Sequence, residues 1–299
     1  MVASSIPLRA SVMGANKVQN QDWSALTPLD TAGIWTDDPP GRTMLLAVAD
    51  GHGAKHHARS DLGARFAVAA FQRTAARFFG PGGIEPAQLN DVTMSSRFPS
   101  ALVLQWRRYV VLHASNNPPA GAAAEPPKGR GPASPKTWEL YGTTLIAALV
   151  GPQLFAAWQI GDGELYVAGK DGVRPFPLAP DEPDRGDETE SLCGRNAAEQ
   201  FRCLWRIGAP PTLVSVSTDG LSKSFAMHDG ITGFCEGLYA RLERGEADSV
   251  RENLPNWLKR ASTYSGDDTT LCALYTPKAS ATTPRTPGAH PAETRSAPS

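Results

Sequence analysis

The sequence predicts a single α+β domain, and three features support this. Short apolar runs that are typical of buried strands recur along the chain, and some of them end at an Asp-Gly pair. Segments with the apolar periodicity of helices lie between these runs. If the acidic residues near positions 22, 50, 219 and 267 share one site, no domain boundary can fall between them.

The most informative stretch is an apolar run over residues 43–49 that ends in Asp50-Gly51-His52-Gly53. Such a run, bounded by turn residues, indicates a buried strand with Asp50 at its C-terminal end. Gly51 has no Cβ, so its carbonyl oxygen can approach a ligand closely. One carboxylate and one carbonyl are hard oxygen donors, which suit Mg²⁺ or Mn²⁺ rather than zinc. The alternative is a simple Asp-Gly turn, and the further acidic positions count against it.

The remaining elements follow from periodicity and from turn residues. Predicted strands cover residues 143–150, 153–160, 164–168, 212–218 and 269–275, after a short strand and the start of another within residues 9–25. Predicted helices cover residues 58–79, 101–113, 231–243 and 247–261. The three closely spaced strands of residues 143–168 predict an antiparallel meander. In it, Gly161-Asp162-Gly163 fits a hairpin turn as well as a functional site.

Loops and termini define one domain over residues 9–276, after an N-terminal extension over residues 1–8. Residues 115–136 form a Pro/Gly/Ala-rich insertion that is expected to be mobile, and residues 178–200 form an acidic surface flap. The tail over residues 277–299 is rich in Ser, Thr, Pro and Ala, and we expect it to be disordered.

Composition narrows the partners and the compartment. Twenty-nine Lys and Arg residues against 30 Asp and Glu residues give a net charge of −1, which favours neither nucleic acid nor an anionic membrane. The four cysteines lack CxxC spacing and are predicted to be reduced thiols. Neither a signal peptide nor a membrane-spanning stretch is apparent. We therefore expect a cytoplasmic protein, and we expect it to be a monomer.

The chemistry follows from three carboxylates at strand ends. Asp50 and Asp219 each end an apolar strand and precede a glycine, whereas Asp267 begins a strand. Clustered carboxylates are tolerated only with metal ions or protons between them. A pair of divalent ions about 3.5–4 Å apart is a usual outcome, and it activates water for attack on phosphorus.

Six motifs together resemble the metal-dependent Ser/Thr phosphatases of the protein phosphatase 2C type. In the order of that family they are Asn20-Gln21-Asp22, Asp50-Gly51-His52-Gly53, Gly142-Thr143-Thr144-Leu145, Gly161-Asp162, Ser217-Thr218-Asp219-Gly220 and Gly266-Asp267-Asp268-Thr269-Thr270. The resemblance spans about residues 9–276, and residues 187–192 are similar to a bacterial branch. It implies a four-layer αββα sandwich, in which two antiparallel sheets pack face to face with helices on both outer sides.

The resemblance also implies a metal centre. Asp50, Asp219 and Asp267 would hold two Mn²⁺ or Mg²⁺ ions, with the Gly51 carbonyl as a further ligand. Asp162 corresponds to a ligand of the family's third metal ion.

Three residues receive catalytic roles by the same resemblance. Asp22 would act through bound water, and His52 would protonate the leaving serine or threonine oxygen, for which a pKa near working pH is suitable. Lys17 stands where the family usually has an arginine that grips the substrate phosphate. The alternative for His52 is a turn histidine, and His56 and His57 are expected at the surface.

The sequence departs from the family at three positions. Lys17 lacks the bidentate fork of arginine, and Gln21 replaces a glutamate. Lys223 replaces an aspartate of the third-metal site, so a third ion is doubtful and the lysine could instead neutralise part of the site.

These observations leave two hypotheses of weight. The first is a phosphatase that acts on phosphoserine or phosphothreonine in proteins and so opposes a Ser/Thr kinase. The second is a catalytically weak relative that binds phosphoproteins, as Lys17, Gln21 and Lys223 suggest. A metal-dependent nuclease is disfavoured, because no basic, aromatic-rich groove is visible in the sequence.

Overall fold

The computed structural model describes residues 5–29, 43–118, 135–175, 190–227 and 229–277, which form two five-stranded antiparallel sheets. Sheet I has the strand order β1-β10-β9-β6-β7 and consists of β1 (Ile6–Val12), β6 (Glu164–Gly169), β7 (Gly172–Pro175), β9 (Leu213–Ser217) and β10 (Thr269–Tyr275). Sheet II has the order β2-β3-β4-β5-β8 and consists of β2 (Trp23–Pro28), β3 (Met44–Ala49), β4 (Leu145–Val150), β5 (Leu154–Ile160) and β8 (Arg202–Ile207).

Helices cover the outer faces of both sheets, which confirms the predicted αββα sandwich. Sheet II carries α1 (Ser60–Phe79) and α2 (Phe98–Asn116), and the short α3 (Pro135–Glu139) packs against α2. Sheet I carries α5 (Asp229–Glu243) and α6 (Ala247–Ser265), with the one-turn α4 (Asp219–Ser222) beside them. A 3₁₀ turn (Pro86–Gln88) and a π-helical turn (Thr93–Arg97) precede α2. None of the helices within the described ranges is both long and apolar enough to cross a membrane.

Three apolar layers hold the sandwich together. Between the sheets, side chains such as Leu46 and Val216 are fully buried. Between sheet II and its helices, Phe98 stacks on Trp158 with ring centroids 4.2 Å apart. The third layer packs sheet I against α5 and α6. Strands β3 and β4 are covered on one face by the other sheet and on the other face by helices, so they carry apolar side chains on both faces. This explains why they appear in the sequence as continuous apolar runs rather than as alternating ones.

Several predicted boundaries differ from those of the structure. Strand β1 begins at Ile6 and pairs with β10, so residues 6–8 belong to sheet I and not to an extension. Helix α2 starts before residue 101, and α6 continues to Ser265. The ends of the predicted 115–136 insertion are helical, while residues 119–134 lie outside the described residues. Most of the predicted flap (178–189) and of the tail (278–299) also lie outside them.

The predicted meander over residues 143–168 is wrong at its second connection. Strands β4 and β5 do pair, but β6 pairs with β9 and β7 in the other sheet. Gly161-Asp162-Gly163 therefore carries the chain from sheet II to sheet I. The side-chain amide of Gln159 fixes this crossover by donating to the carbonyls of Gly161 (3.0 Å) and Gly163 (2.7 Å). The Gly-Asp-Gly sequence is therefore compatible with a crossover between sheets as well as with a hairpin turn.

Candidate metal centre

The three carboxylates at strand ends come together although they lie far apart along the chain. Asp50 follows β3 of sheet II, while Asp219 follows β9 and Asp267 precedes β10 in sheet I. The ammonium of Lys223 lies 2.5 Å from Asp219 Oδ2 and 3.6 Å from Asp267 Oδ2, so these two carboxylates face the same point. The negative charges of Asp219 and Asp267 also contribute to raising the pKa of Asp50. The site therefore spans the two sheets at one end of the sandwich.

Two threonines that directly precede β4, Thr143 and Thr144, fix the backbone of Asp50. The Asp50 N–H donates to Thr144 Oγ1 (3.1 Å), and the Asp50 carbonyl accepts from Thr143 Oγ1 (2.7 Å) and Thr144 N–H (2.9 Å). With its backbone polar groups satisfied in this way, Asp50 is held in place at the end of β3. The Gly-Thr-Thr motif thus positions the Asp50 carboxylate.

Gly51 lies where no side chain fits. A Cβ at this position would meet the Ser60 carbonyl at 2.8 Å and the Gln21 carbonyl at 2.9 Å. Gln21 in turn donates from its side-chain amide to Ser60 Oγ (2.8 Å) and to the His52 carbonyl (3.3 Å). The glutamine that departs from the family pattern therefore ties the residue 20–22 loop to the Gly51 turn.

Asp22 is buried beside the same centre. Its Oδ2 accepts a hydrogen bond from Thr218 Oγ1 (2.8 Å), and its N–H donates to Asn20 Oδ1 (2.9 Å). Its other oxygen, Oδ1, is buried and has no hydrogen-bond partner. Asp219 Oδ1 is in the same condition. Two orphaned carboxylate oxygens thus lie in one site, and buried oxygens of this kind are normally paired.

Burial and mutual repulsion disfavour ionised carboxylates here. Burial raises the pKa of Asp22 to about 7, and the charge of Asp268 adds to the effect. Burial, followed by the charge of Asp162, raises the pKa of Asp219 to about 6. Burial also raises the pKa of Asp50 well above its ordinary value. The ionised forms of these carboxyls are therefore disfavoured unless a cation compensates their charge, which is the electrostatic setting of a metal site.

Two lysines supply part of that positive charge. Lys17 Nζ lies 2.8 Å from Asp267 Oδ1 and donates to Gln21 Oε1 (3.2 Å). Partial burial opposes the charged form of Asp267, but Lys17 and then Lys223 outweigh it and lower the pKa of this carboxyl. Partial burial likewise opposes the charged form of Lys223, but Asp219 outweighs it and raises the pKa of Lys223. Lys17 therefore pairs with a predicted metal ligand.

The donor set fits divalent cations, although the carboxylates are not arranged as a ready-made ion cage. No group of three or more His, Cys, Asp or Glu side chains among the described residues has the arrangement of a metal site. Instead, the Lys223 ammonium lies between Asp219 and Asp267, and the Lys17 ammonium pairs with Asp267. The orphaned oxygens of Asp22 and Asp219 are hard donors that Mn²⁺ or Mg²⁺ would satisfy.

His52 and Asp162 flank this centre. The His52 N–H donates to the Gly142 carbonyl (3.1 Å), and its ring centroid lies 4.9 Å from that of His57. Burial, and then the charge of His57, lowers the pKa of His52 to about 4, so its imidazole is neutral at pH 7. Asp162 is exposed on the crossover, and its charge acts on His52, Asp219 and Lys223.

Sequence reasoning missed two contributors near this centre. His57, which was expected at the surface, is half-buried: it packs against His52 and bonds through Nδ1 to the Glu139 carbonyl. Asp268 accepts from the N–H groups of Gly14 (2.7 Å) and Gln21 (2.6 Å), and so fixes the loop before β2. The sequence does show two adjacent aspartates, Asp267 and Asp268. It does not show that Asp267 faces the carboxylate site while Asp268 binds backbone N–H groups.

A family model described as protein phosphatase 2C matches residues 23–259. The chain belongs to the protein phosphatase 2C family. The matched region of the chain contains Asp50, Asp162 and Asp219. Asp22 and Asp267 lie outside the matched region, but the fold brings both of them to the same site. A search of curated protein sequences finds no significant match.

Solved structures of bacterial phosphatases share this fold. A bacterial serine phosphatase superposes with a TM-score of 0.58 at 15% identity, covering 91% of this chain and 97% of that one. The catalytic domain of the Ser/Thr protein phosphatase PstP in complex with two manganese ions gives 0.54 at 16% identity, covering 91% and 99%. Stp1 from Staphylococcus aureus gives 0.56 at 14% identity, covering 93% and 96%.

Proposed function

We propose that this member of the protein phosphatase 2C family is a Mn²⁺- or Mg²⁺-dependent phosphatase that hydrolyses phosphoserine and phosphothreonine in proteins. The observation that supports it best is the pair of buried, unpartnered oxygens on Asp22 and Asp219, next to Asp50. A buried carboxylate oxygen without a partner is costly, and a divalent ion would remove that cost. The substrates would be products of Ser/Thr kinases.

In this proposal, four residues would hold two metal ions. Asp50, Asp219 and Asp267 would supply carboxylates and Gly51 its carbonyl, while Asp22 would act through bound water. When bound, such ions polarise a phosphoryl oxygen and lower the pKa of water, so that it attacks phosphorus.

The other proposed catalytic residues supply charge and a proton. Lys17 would add positive charge for the phosphate, but its ammonium cannot form the bidentate hydrogen bonds that an arginine forms with a phosphate. His52 would donate a proton to the leaving oxygen. Its imidazole is neutral in the free protein at pH 7, and the negative charge of a bound phosphate would favour the protonated form.

A second function has one observation in its favour. Lys17 and Lys223 hold oxygens of Asp267 and Asp219, so metal ions must compete with two ammonium groups. A protein in which the ammonium groups prevail would bind phosphoproteins without hydrolysing them efficiently.

The deciding experiment measures phosphate release from a phosphothreonine peptide with Mn²⁺, Mg²⁺ or EDTA. We expect turnover with Mn²⁺, none with EDTA, and a loss of 100-fold or more in Asp219→Ala. Asp171→Ala is the matched control, because Asp171 is an exposed turn aspartate and its replacement should leave turnover unchanged. Metal binding without hydrolysis would favour the second function, and turnover that survives Asp219→Ala would exclude the proposed centre.

A further inference from the structure

Lys223 is placed by helix geometry on the outer side of the carboxylate site. Helix α4 begins at Asp219, and the Lys223 N–H donates to the Asp219 carbonyl (2.8 Å), which completes one turn. Residues four apart on a helix share a face, so the Lys223 ammonium reaches the Asp219 carboxylate directly. The lysine side chain is 54% exposed and the aspartate side chain 7%. The ammonium therefore approaches the buried carboxylates from the solvent side.

The two oxygens of Asp219 differ in their partners. Oδ2 lies 2.5 Å from Lys223 Nζ, whereas Oδ1 is buried and has no hydrogen-bond partner. Lys223 Nζ also lies 3.6 Å from Asp267 Oδ2, and the charge of Asp162 acts on it. The Lys223 ammonium thus already lies between Asp219 and Asp267, within the electrostatic reach of Asp162. Asp219 Oδ1 stays available for a second cation on the inner side.

We propose that Lys223 takes the place of a metal ion at this outer position, so that the protein binds two divalent ions and excludes a third. The proposal rests on the proposed function, because it presupposes the two-ion centre at Asp50, Asp219 and Asp267. An ammonium tethered by the chain is always present and cannot be removed by a chelator. It also repels a divalent ion that approaches the same oxygens.

The balance of charge supports a count of two. Six aspartates belong to the site or act on it electrostatically, namely Asp22, Asp50, Asp162, Asp219, Asp267 and Asp268. Two divalent ions together with Lys17 and Lys223 would supply six positive charges, which balance these six negative ones. A third divalent ion would leave a positive excess of two before substrate binds. The tethered ammonium therefore makes a further ion unnecessary as well as unfavourable.

The experiment counts bound Mn²⁺ by titration calorimetry and by electron paramagnetic resonance of the unbound ion. The wild-type protein should bind two ions per chain, with no further binding up to millimolar Mn²⁺. Lys223→Asp should gain a third, weaker equivalent, because a carboxylate then replaces the cation at the outer oxygens. Lys223→Met keeps the length of the side chain without its charge, and it should bind the two ions about tenfold more tightly. Lys170→Asp, at an exposed turn lysine, is the control and should match the wild type.

Each result decides the proposal. Three ions in the wild type, or a count of two in a Lys223→Asp variant whose thermal unfolding shows that it is folded, would overturn it. Both of these failures leave the two-ion centre and the phosphatase activity standing. A wild-type protein that binds no Mn²⁺ would instead overturn the proposed function and this inference with it.

Discussion

At the scale of single residues, the adjacent Asp267 and Asp268 have opposite surroundings. Asp267 is half-exposed and faces two lysines, whereas Asp268 is only 1% exposed and accepts two backbone N–H groups. Those N–H groups belong to Gly14 and Gln21, at either end of the loop that carries Lys17. Asp268 therefore holds this loop against the start of β10, and the loop in turn places Lys17 and Asp22 at the site.

Because Asp268 accepts two backbone N–H groups, replacing it even by the isosteric asparagine should destabilise the protein. Asp268→Asn should lower the free energy of unfolding by about 2–3 kcal/mol, because an amide nitrogen would face one of the two N–H donors and leave it unsatisfied. Urea unfolding measures the change, and Asp171→Asn, at an exposed turn, should stay within about 0.5 kcal/mol of the wild type. Equal effects of the two substitutions would show that Asp268 does not hold the loop.

Sequence alone identified the acidic residues of the site but not their partners. Asp50 and Asp219 were found because an apolar strand followed by Asp-Gly is a local pattern. The contacts of Asp268 and Lys17 are not local, since they join residues about 250 positions apart. Lys17 was consequently predicted to face a substrate phosphate, and in the free protein it pairs with Asp267 instead.

At the scale of elements, Gly63 sets how closely α1 approaches the segment before β4. A Cβ at Gly63 would lie 2.0 Å from the Tyr141 carbonyl oxygen, and the Gly63 carbonyl accepts from Trp106 Nε1 (3.0 Å) in α2. The neighbouring Gly142 carbonyl accepts from the His52 N–H. Any displacement of α1 at this glycine would therefore pass to the turn that carries Asp50 and Gly51.

Two glycine substitutions in helices should consequently act in opposite directions. Gly63→Ala should destabilise the protein by about 1–3 kcal/mol through overpacking, and it should weaken Mn²⁺ binding. Gly237→Ala is the matched control, because this exposed position inside α5 has no atom within 4 Å of an added Cβ. There alanine should stabilise the protein by about 0.5–1 kcal/mol. Urea unfolding of both variants tests the pair, and destabilisation by Gly237→Ala would contradict the packing argument.

Element prediction failed where the strand signal was weak or ambiguous. Strand β8 (Arg202–Ile207) was not predicted, because it is an edge strand whose residues are half-exposed or exposed and include two arginines. The β5–β6 connection was predicted as a hairpin, because Gly-Asp-Gly has the same local signal whether the chain turns back or crosses to the other sheet. Strands β3 and β4 were found correctly, because burial on both faces makes their sequences continuous apolar runs. Strand β9 was found through its alternation of apolar and serine residues, and β10 through the apolar residues that follow its acidic start.

At the scale of the whole molecule, the proposed metal ligands join the two sheets. Asp50 belongs to sheet II, while Asp219 and Asp267 belong to sheet I. The contact between the sheets is otherwise made by an apolar layer that includes Leu46 and Val216. Bound ions would add a polar link at one end of this layer, and they would also relieve the repulsion among the carboxylates.

Metal binding should therefore stabilise the entire domain and not only its loops. A ligand that binds only the folded state adds about 2.7 kcal/mol at 100 times its Kd, so Mn²⁺ should raise the melting temperature by roughly 5 °C or more. Because the ligands come from both sheets, the whole transition should shift as one step in differential scanning calorimetry. Asp219→Ala should abolish the shift, and Asp171→Ala should retain it. A shift confined to a minor early transition would mean that the ions order only a loop, and that the two sheets are not joined through the metal centre.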